Sequence, residues 1–381
     1  MDFRPHRSRS LLLFAFALLA PGLAAVSASG AALEYTLDVP AGSVTIARDV
    51  GGDRLGVKDG AFVASTDAGL PVIPYRIASL LLPPGTSVAD FTCEATAPVV
   101  VAADVRPALV PDAVSTDGSR GSGPALAAWS GGAFPASPAI YLGTGYLHGR
   151  AIASFALYPV RLVDGTVAVT ERLTLRVETA FAEPPLRVVS RLRHSDRRDA
   201  RIDERVRGLV VNPEAVSAYS PAGTRVESKR GFRPTSFPSL EGSPVDYVIV
   251  TNDSLAAAFQ VLADWKTARG VPTVVRTTEW IAANYVNGVD LAETIRTFVI
   301  DAYQYWGIEY LLLGGDTGQV PVRFGATGFF GKKDIPVDMY FGCLDGDWNA
   351  DHDALFGEPG TTDQTVLYHE VYVGRLPATT T

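Results

Sequence analysis

Oxygen-bearing side chains recur at every second position late in the chain. The set comprises Asp345, Asp347, Asn349, Asp351 and Asp353, with Glu358 a few residues beyond. A calcium ion takes about six to eight oxygen ligands, and alternate residues of a tight loop can supply several of them. The loop is not an EF-hand, because Ala350 stands where that loop needs Gly and Phe356 where it needs Glu. The spacing predicts a structural calcium site, and a solvated acidic loop without an ion is the alternative.

A possible nucleophile lies just before this loop. Cys343 is followed by His352 and His369, and a thiolate beside an imidazole can attack a carbonyl group. Proximity in sequence does not establish contact, and cysteine is among the most frequently buried residue types. A buried Cys343 is therefore the favoured interpretation. The chain has no Gly-x-Ser-x-Gly elbow, His-Glu-x-x-His helix or Walker loop.

Gly314-Gly315-Asp316 follows an apolar run, at the position where open α/β sheets place ligands. It lacks the spacing of a dinucleotide fingerprint. A tight turn at the end of a strand, with Asp316 bonding the backbone, is favoured over a cofactor loop. No organic cofactor is predicted.

Composition limits the classes of function. The chain has 381 residues, 47% of them hydrophobic and 19% charged, which predicts two folded domains. The net charge of -8 argues against a nucleic-acid-binding protein. Two cysteines, Cys93 and Cys343, supply neither a disulfide framework nor a four-cysteine zinc site.

The first 28 residues have the pattern of a secretory signal peptide. Arginines at positions 4, 7 and 9 precede the apolar run from Leu11 to Ala20, and small residues follow as far as Ala28. The run is shorter than the roughly 20 residues that span a bilayer. We therefore expect a secreted protein with no membrane span after the leader is removed.

Residues 29–215 have the pattern of an all-β domain. Short apolar or alternating runs are separated by turn signals, at Glu34–Val39, Gly42–Ala47, Phe62–Ser65 and Val99–Val105. Asp164-Gly165 separates the runs Ala151–Leu162 and Thr166–Glu178, which is a strong hairpin signal. The fold class predicted here is a β-sandwich.

Two segments then interrupt the β pattern. Residues 187–207 contain eight arginines with little apolar periodicity, which predicts either a solvated helix face or tether, or a protease-accessible junction. Residues 216–244 contain Lys229-Arg230-Gly231 and repeated prolines, which predicts a linker. Because exposed linkers are preferred sites of cleavage, 216–244 is the candidate processing region.

Residues 245–381 change to an α/β pattern. Strands at Val245–Thr251, Pro272–Thr277 and Glu309–Leu313 alternate with helices that begin near Asn252 and at Asp290. A short helical piece is expected at Thr278–Asn284. The first helix is predicted to bury Leu255, Phe259, Leu262, Ala263 and Trp265, and the second Ile295, Phe298, Val299, Ala302 and Trp306. The order predicts a mainly parallel sheet.

The assembled strings resemble gingipain-type cysteine peptidases, peptidase family C25. VDYVIVT, LADWKTARG, AETIRTFVIDAYQYWG and YLLLGGD are similar to the start of the family's caspase-like catalytic domain, and EVYVGRLPA is similar to its strand ending in Gly-Arg. Upstream, GLPVIPYRIASLLLPPGTSV, SFALYPVRLVDGTVAVTERLTLRVE and GLVVNPE are similar to its β-rich propeptide.

The resemblance implies a secreted endopeptidase zymogen that acts on proteins or peptides and carries an intramolecular prodomain. In the family, the catalytic His and then the Cys follow the Gly-Arg strand, so both are expected beyond Thr381 and no catalytic residue is assigned within this chain. Cys343 precedes that strand and its neighbouring histidines follow it, the reverse of the family's order. We expect the chain to be the amino-terminal part of a longer precursor, with a truncated α/β domain that is inactive alone.

Two alternatives remain open from the sequence. A secreted, non-catalytic binding or adhesion protein could use the same two domains. A sortase-like transpeptidase of a type IX secretion system resembles the same family and would pass the acyl group to an amine instead of water.

Overall fold

The computed structural model describes most of the chain after the predicted leader. The described residues are 29–58, 61–65, 68–111, 129, 131–219, 224–225, 231–286, 288–326, 335–358 and 363–380. The predicted leader, residues 1–28, and the dibasic step Lys229-Arg230 lie outside them. Within the described ranges, no helix combines the length and the apolar composition that crossing a membrane requires.

The amino-terminal part consists of antiparallel sheets. Its strands are β1 (Ser29–Asp38), β2 (Val44–Ala47), β3 (Arg54–Val57), β4 (Val63–Ala64), β5 (Pro74–Leu81), β6 (Thr86–Ala95), β7 (Val99–Ala102), β8 (Ala133–Phe134), β9 (Ala139–Leu147), β10 (Arg150–Leu157), β11 (Val160–Val163), β12 (Thr166–Val169) and β13 (Arg172–Phe181). They pair in the orders β1-β13-β6, β4-β5-β10-β9, β7-β12-β11-β8 and β2-β3. Alternate residues face a shared core, as Leu173, Leu175 and Val177 of β13 do.

The hairpin at Asp164-Gly165 is confirmed. Val163 of β11 pairs with Thr166 of β12, and both turn residues have positive φ. However, the two long apolar runs that flank the hairpin are each divided between two strands. Residues 151–162 divide between β10 and β11, which belong to different sheets, and Pro159 stands at the division. A proline has no N–H to continue a ladder, so one strand across it was the wrong prediction.

The arginine-rich segment forms a packed helix instead of a tether. β14 (Arg193–His194) leads into α1 (Asp196–Leu209), and β15 (Thr224–Arg225) pairs with β14 in parallel. Val206 of α1 is fully buried against Leu81 and Ile152 of the β-sheet. The predicted solvated helix face is present, at exposed Arg197, Glu204 and Arg207, but the opposite side of the helix is packed, and the tether was the wrong prediction.

The carboxyl-terminal part alternates strands and helices as predicted. It contains β16 (Tyr247–Thr251), α2 (Asp253–Ala268), β17 (Thr273–Thr277), α3 (Thr278–Asn284), α4 (Leu291–Asp301), β18 (Tyr310–Gly314), β19 (Phe324–Gly325), β20 (Ile335–Pro336) and β21 (Tyr372–Leu376). The four longer strands form a parallel sheet in the order β17-β16-β18-β21.

The predicted helix starts and most of the predicted core are confirmed. The side chains of Asn252 and Asp290 accept hydrogen bonds from the backbone N–H groups three residues on, as N-caps do. All five residues predicted for the second helix are buried. Trp265 of α2 is 53% exposed and was wrongly placed in the core. It lies about 200° around the helix from Ala263, which faces the sheet.

Within the predicted linker 216–244, β15 is a short strand, whereas residues 231–244 carry no helix or strand and are held by arginines of β14 and β17. The guanidinium of Arg193 donates to the carbonyls of Ser239, Leu240 and Gly242. The guanidinium of Arg276 donates to the carbonyls of Thr235 and Ser236. These contacts leave little freedom for residues 235–242.

Candidate functional site

The carboxyl edge of the parallel sheet is where an α/β fold presents its reactive groups. Here the Thr251 hydroxyl donates to the Gly314 carbonyl, and Gly315 takes a φ of 149°. Asp316 accepts a hydrogen bond from the Thr317 N–H at 2.8 Å. The predicted tight turn is confirmed.

Arg375, the arginine of the Gly-Arg strand, uses its guanidinium to connect the segments at this edge of the sheet. Its guanidinium makes two 2.7 Å hydrogen bonds to the carboxylate of Asp338. It also donates to the carbonyls of Gly315, Val320 and Pro321. Arg375 therefore acts as a structural residue of β21.

Cys343 is fully buried, as the sequence favoured. Burial, followed by the nearby carboxyl group of Glu370, raises the pKa of the Cys343 thiol to about 12. The ring of His352 contacts the Asn349 carbonyl, and the ring of His369 packs against Arg205 and Tyr372. Neither imidazole is positioned to deprotonate the thiol.

We expect iodoacetamide to leave Cys343 unmodified in the native chain. The thiolate is the reactive form, and a buried thiol with a raised pKa supplies almost none near neutral pH. Mass spectrometry before and after unfolding in guanidinium would measure the labelling. The half-buried Cys93 is the internal comparison. Rapid native labelling of Cys343 would contradict this assignment.

Only some of the acidic residues predicted to share a calcium ion lie close together. The ligand atoms of Asp351, Asp353 and Glu358 lie within 4.8 Å of one another, close enough to share an ion. Asp345 and Asp347 are not in this group. Asp345 points inward and accepts from the Val189 N–H, while Asp347 accepts from the Asn349 N–H.

Asp363 organises this loop, and sequence reasoning missed it. One carboxylate oxygen accepts from the Ala350 N–H, and the other accepts from the N–H groups of Gly357 and Glu358. Local loss of solvent, then repulsion from Asp353 and Asp351, raises the pKa of Glu358. A cation would relieve that repulsion.

Asp345 and Glu370 form a pair of buried carboxyl groups. One oxygen of Asp345 accepts from the Val189 N–H at 2.6 Å, and one oxygen of Glu370 accepts from the Leu344 N–H at 2.9 Å. The other oxygen of each is buried without a hydrogen-bond partner among the described residues. Burial raises the pKa of Asp345 to about 7 and that of Glu370 to about 8, and the Asp345 charge adds to the shift of Glu370.

The amino edge of the sheet presents carboxylates to α1. Asp246 and Glu309 immediately precede β16 and β18. Arg198 of α1 forms ion pairs with both, at 3.3 Å to Glu309, and Arg201 contacts Glu309 at 2.5 Å. Because Val206 of the same helix packs on the β-sheet, α1 bridges the two parts of the chain.

Aromatic rings at the amino edge of the parallel sheet also take part in its contact with α1. Tyr247, Tyr310 and Tyr372 are cross-strand neighbours at the start of their strands, with ring centroids 5.9 and 5.7 Å apart. The guanidinium of Arg205 lies 5.3 Å from the Tyr372 ring centroid. Arg205 thus extends the row of arginines on α1 to the last strand.

The turn between β9 and β10 supplies a second bridge. Nδ1 of His148 lies 2.8 Å from the hydroxyl of Tyr303, which is fully buried in the α/β core. Burial, followed by the charge of Arg191, holds the pKa of His148 well below its usual range. His148 is therefore a neutral hydrogen-bonding partner near neutral pH.

Comparisons with protein families match both parts of the chain, in order. Residues 42–188 match the Chloroflexota gingipain-like propeptide domain, and residues 241–381 match peptidase family C25. A match to a gingipain-like propeptide is thus followed by a match to a C25 peptidase, and the two matched parts are called the propeptide and the C25 region below. The resemblance read from the sequence is confirmed. α1 lies between the two matches and contacts both the propeptide sheets and the C25 sheet.

Solved structures of proteins from Porphyromonas gingivalis are similar at low identity. The complex of RgpB pro- and mature domains is 15% identical, covers 50% of this chain and 95% of that chain, and has a TM-score of 0.34. Latent dimeric PorU is 11% identical, with 94% and 46% covered and a TM-score of 0.29. The structure on zymogenic latency of gingipain K is 10% identical, with 39% and 100% covered and a TM-score of 0.27. No curated protein matches the chain.

Proposed function

We propose that this chain belongs to the zymogen of a secreted C25-type cysteine endopeptidase. The observation that carries the proposal is the pair of family matches, propeptide first and peptidase second. The antiparallel sheets would form the sandwich of the propeptide, residues 29–215, and the parallel sheet the first part of a caspase-like domain, residues 245–381. Residues 1–28 would direct export.

The chemistry would be acyl transfer to water. A thiolate activated by an imidazole attacks the scissile carbonyl, and backbone amides stabilise the oxyanion. Cys343 is unsuited to this role because its thiol is buried with a raised pKa. We therefore propose that the catalytic His and Cys lie outside residues 1–381, and that the described C25 residues supply the sheet that positions them.

The experiment compares this chain with one extended past Thr381 by its natural coding sequence. Both would be assayed with peptides carrying Arg, Lys or neutral residues before the scissile bond. We expect thiol-dependent cleavage only from the extended chain, after loss of the propeptide. Cleavage by the 381-residue chain that is lost in Cys343→Ala would overturn the proposal.

Maturation would occur in the region 216–244. The contacts of Arg193 in β14 and of Arg276 in the C25 part hold residues 235–242 in place, which favours a cut nearer the amino-terminal half of 216–244. Amino-terminal sequencing of the matured protein would locate the cut. Normal maturation of a chain with neutral residues at Lys229 and Arg230 would exclude cleavage by an enzyme that requires those cations.

We also propose that the acidic loop binds calcium through Asp351, Asp353 and Glu358, whose ligand atoms already lie close together. Calcium should raise the melting temperature of the chain by a few degrees over the same buffer with EGTA. Asp353→Asn should abolish the shift. Asp264→Asn, at an exposed position on α2, should keep it. A shift shared equally by both variants would refute this site.

A further inference from the structure

A cavity of about 280 Å³ lies where α1, the β9–β10 turn and the amino edge of the parallel sheet meet. Its polar lining comprises His148, Arg191, Arg198, Arg201, Arg205, Glu309 and Glu370. The helix, the turn and the sheet edge therefore all contribute to one cleft that is partly open to solvent. It is large enough for several waters, each of which occupies about 30 Å³ in the liquid.

Positive charge exceeds negative charge around this cavity. Arg198 and Arg201 share the carboxylate of Glu309, and Arg198 also pairs with Asp246 nearby. Arg205 forms no ion pair among the described residues and donates to the His369 carbonyl at 3.2 Å. Arg191 likewise has no carboxylate partner there.

Arg191 is a buried arginine whose hydrogen-bonding groups are only partly satisfied. It is only 5% exposed, and its Nη2 donates to the Ile308 carbonyl at 3.1 Å. Nε and Nη1 of the same guanidinium are buried without a hydrogen-bond partner among the described residues. A buried, unpaired guanidinium nitrogen is strongly unfavourable unless something in the cavity accepts its hydrogen bonds.

Glu370, in the same lining, can also complement an anion. Glu370 is buried with one oxygen unpartnered, and its raised pKa keeps it largely protonated near neutral pH. A protonated carboxyl group is a hydrogen-bond donor. With arginine and carboxylic acid donors in the same lining, an acceptor is the missing partner.

We propose that this cavity binds a small tetrahedral oxyanion, phosphate or sulfate, between α1 and the C25 sheet. One edge of the Arg191 guanidinium, an unpartnered nitrogen together with the second N–H of Nη2, matches two oxygens of such an anion, and Arg205 supplies a second cation. A bound anion would hold α1 on the sheet, so it would stabilise the docked form in proportion to its occupancy.

The test measures binding of inorganic phosphate to the full 381-residue chain, with ionic strength held constant by sodium chloride. We expect a saturable rise of a few degrees in melting temperature at low millimolar phosphate, and broadening of the phosphorus NMR line. Arg191→Gln should lose both effects. Arg161→Gln, at an exposed position on β11, should keep both.

Arg191→Gln could fail to fold, so a second variant is also measured. Arg205→Gln, at a partly exposed position, should weaken phosphate binding about tenfold, which corresponds to about 1.4 kcal/mol. A rise that does not saturate, or one that both arginine variants retain, reflects general exclusion of phosphate from protein surfaces and overturns the proposal. These readouts do not depend on peptidase activity, so either proposal can fail alone.

Discussion

Raising the pH from about 5 to about 9 will destabilise the folded chain, and Glu370→Gln will remove much of that loss. Glu370 is 2% exposed, lies two residues before β21, and is within electrostatic reach of the buried Asp345. In the unfolded chain both carboxyl groups titrate in their ordinary acidic range. In the folded chain their pKa values are raised to about 8 for Glu370 and about 7 for Asp345.

Proton binding determines whether the free energy of unfolding rises or falls with pH. Between the unfolded and the folded pKa, the native state holds a proton that the unfolded state has released, so the free energy of unfolding falls as the pH rises. The contribution is fully present below about pH 4 and is lost progressively up to about pH 8. Each retained proton gives a slope of about 1.4 kcal/mol per pH unit.

Urea unfolding followed by fluorescence at a series of pH values would measure the effect. Glu370→Gln keeps the shape of the side chain but cannot ionise, so its stability should depend less on pH and exceed that of the parent at about pH 9. Glu183→Gln, at an exposed position, should behave like the parent. Parallel pH profiles for Glu370→Gln and the parent would contradict the assignment.

This titration bears on how the propeptide is held. Asp345 accepts the backbone N–H of Val189, which lies between the β-sheets and α1. Ionisation of the pair would leave two buried negative charges beneath that segment. Limited proteolysis between Val189 and α1 should therefore become faster at alkaline pH.

The elements of the C25 region were predictable because local signals agree with tertiary packing there. Asn252 and Asp290 are capping residues by type, and they cap. Ile295 and Phe298 follow the helical period, and both are buried. The four-stranded parallel sheet follows from the alternation of strands and helices.

The ion pairs of α1 and the buried Asp345–Glu370 pair were not predictable in the same way. The arginines of α1 have the composition of a solvated surface, and their partners Asp246 and Glu309 lie more than 40 residues away in sequence. Asp345 shares its spacing with the loop that follows but faces the opposite way. Charge patterns report which groups must be paired or solvated, and only the fold decides between those outcomes.

Arg198→Ala should cost about 3 kcal/mol of folding stability, the second large effect we expect. The Arg198 side chain is 7% exposed and forms ion pairs with Asp246 and Glu309. Removing the arginine leaves Asp246 without its ion pair and leaves Glu309 with Arg201 alone, and an uncompensated charge in a largely buried contact is strongly unfavourable. Arg197→Ala, at the adjacent exposed position, is the matched control and should change stability by less than about 0.5 kcal/mol.

A double-mutant cycle would separate the ion pair from the loss of packing. Arg198→Ala and Glu309→Gln, measured singly and together by urea unfolding, should couple by an energy on the order of 1 kcal/mol. Additive effects would mean that Arg198 acts through its buried aliphatic stem. Coupling would establish that the arginine row of α1 joins the propeptide to the C25 sheet at its amino edge. That edge lies opposite the one where an open α/β sheet places its substrate, so this contact would hold the propeptide without occupying the cleft.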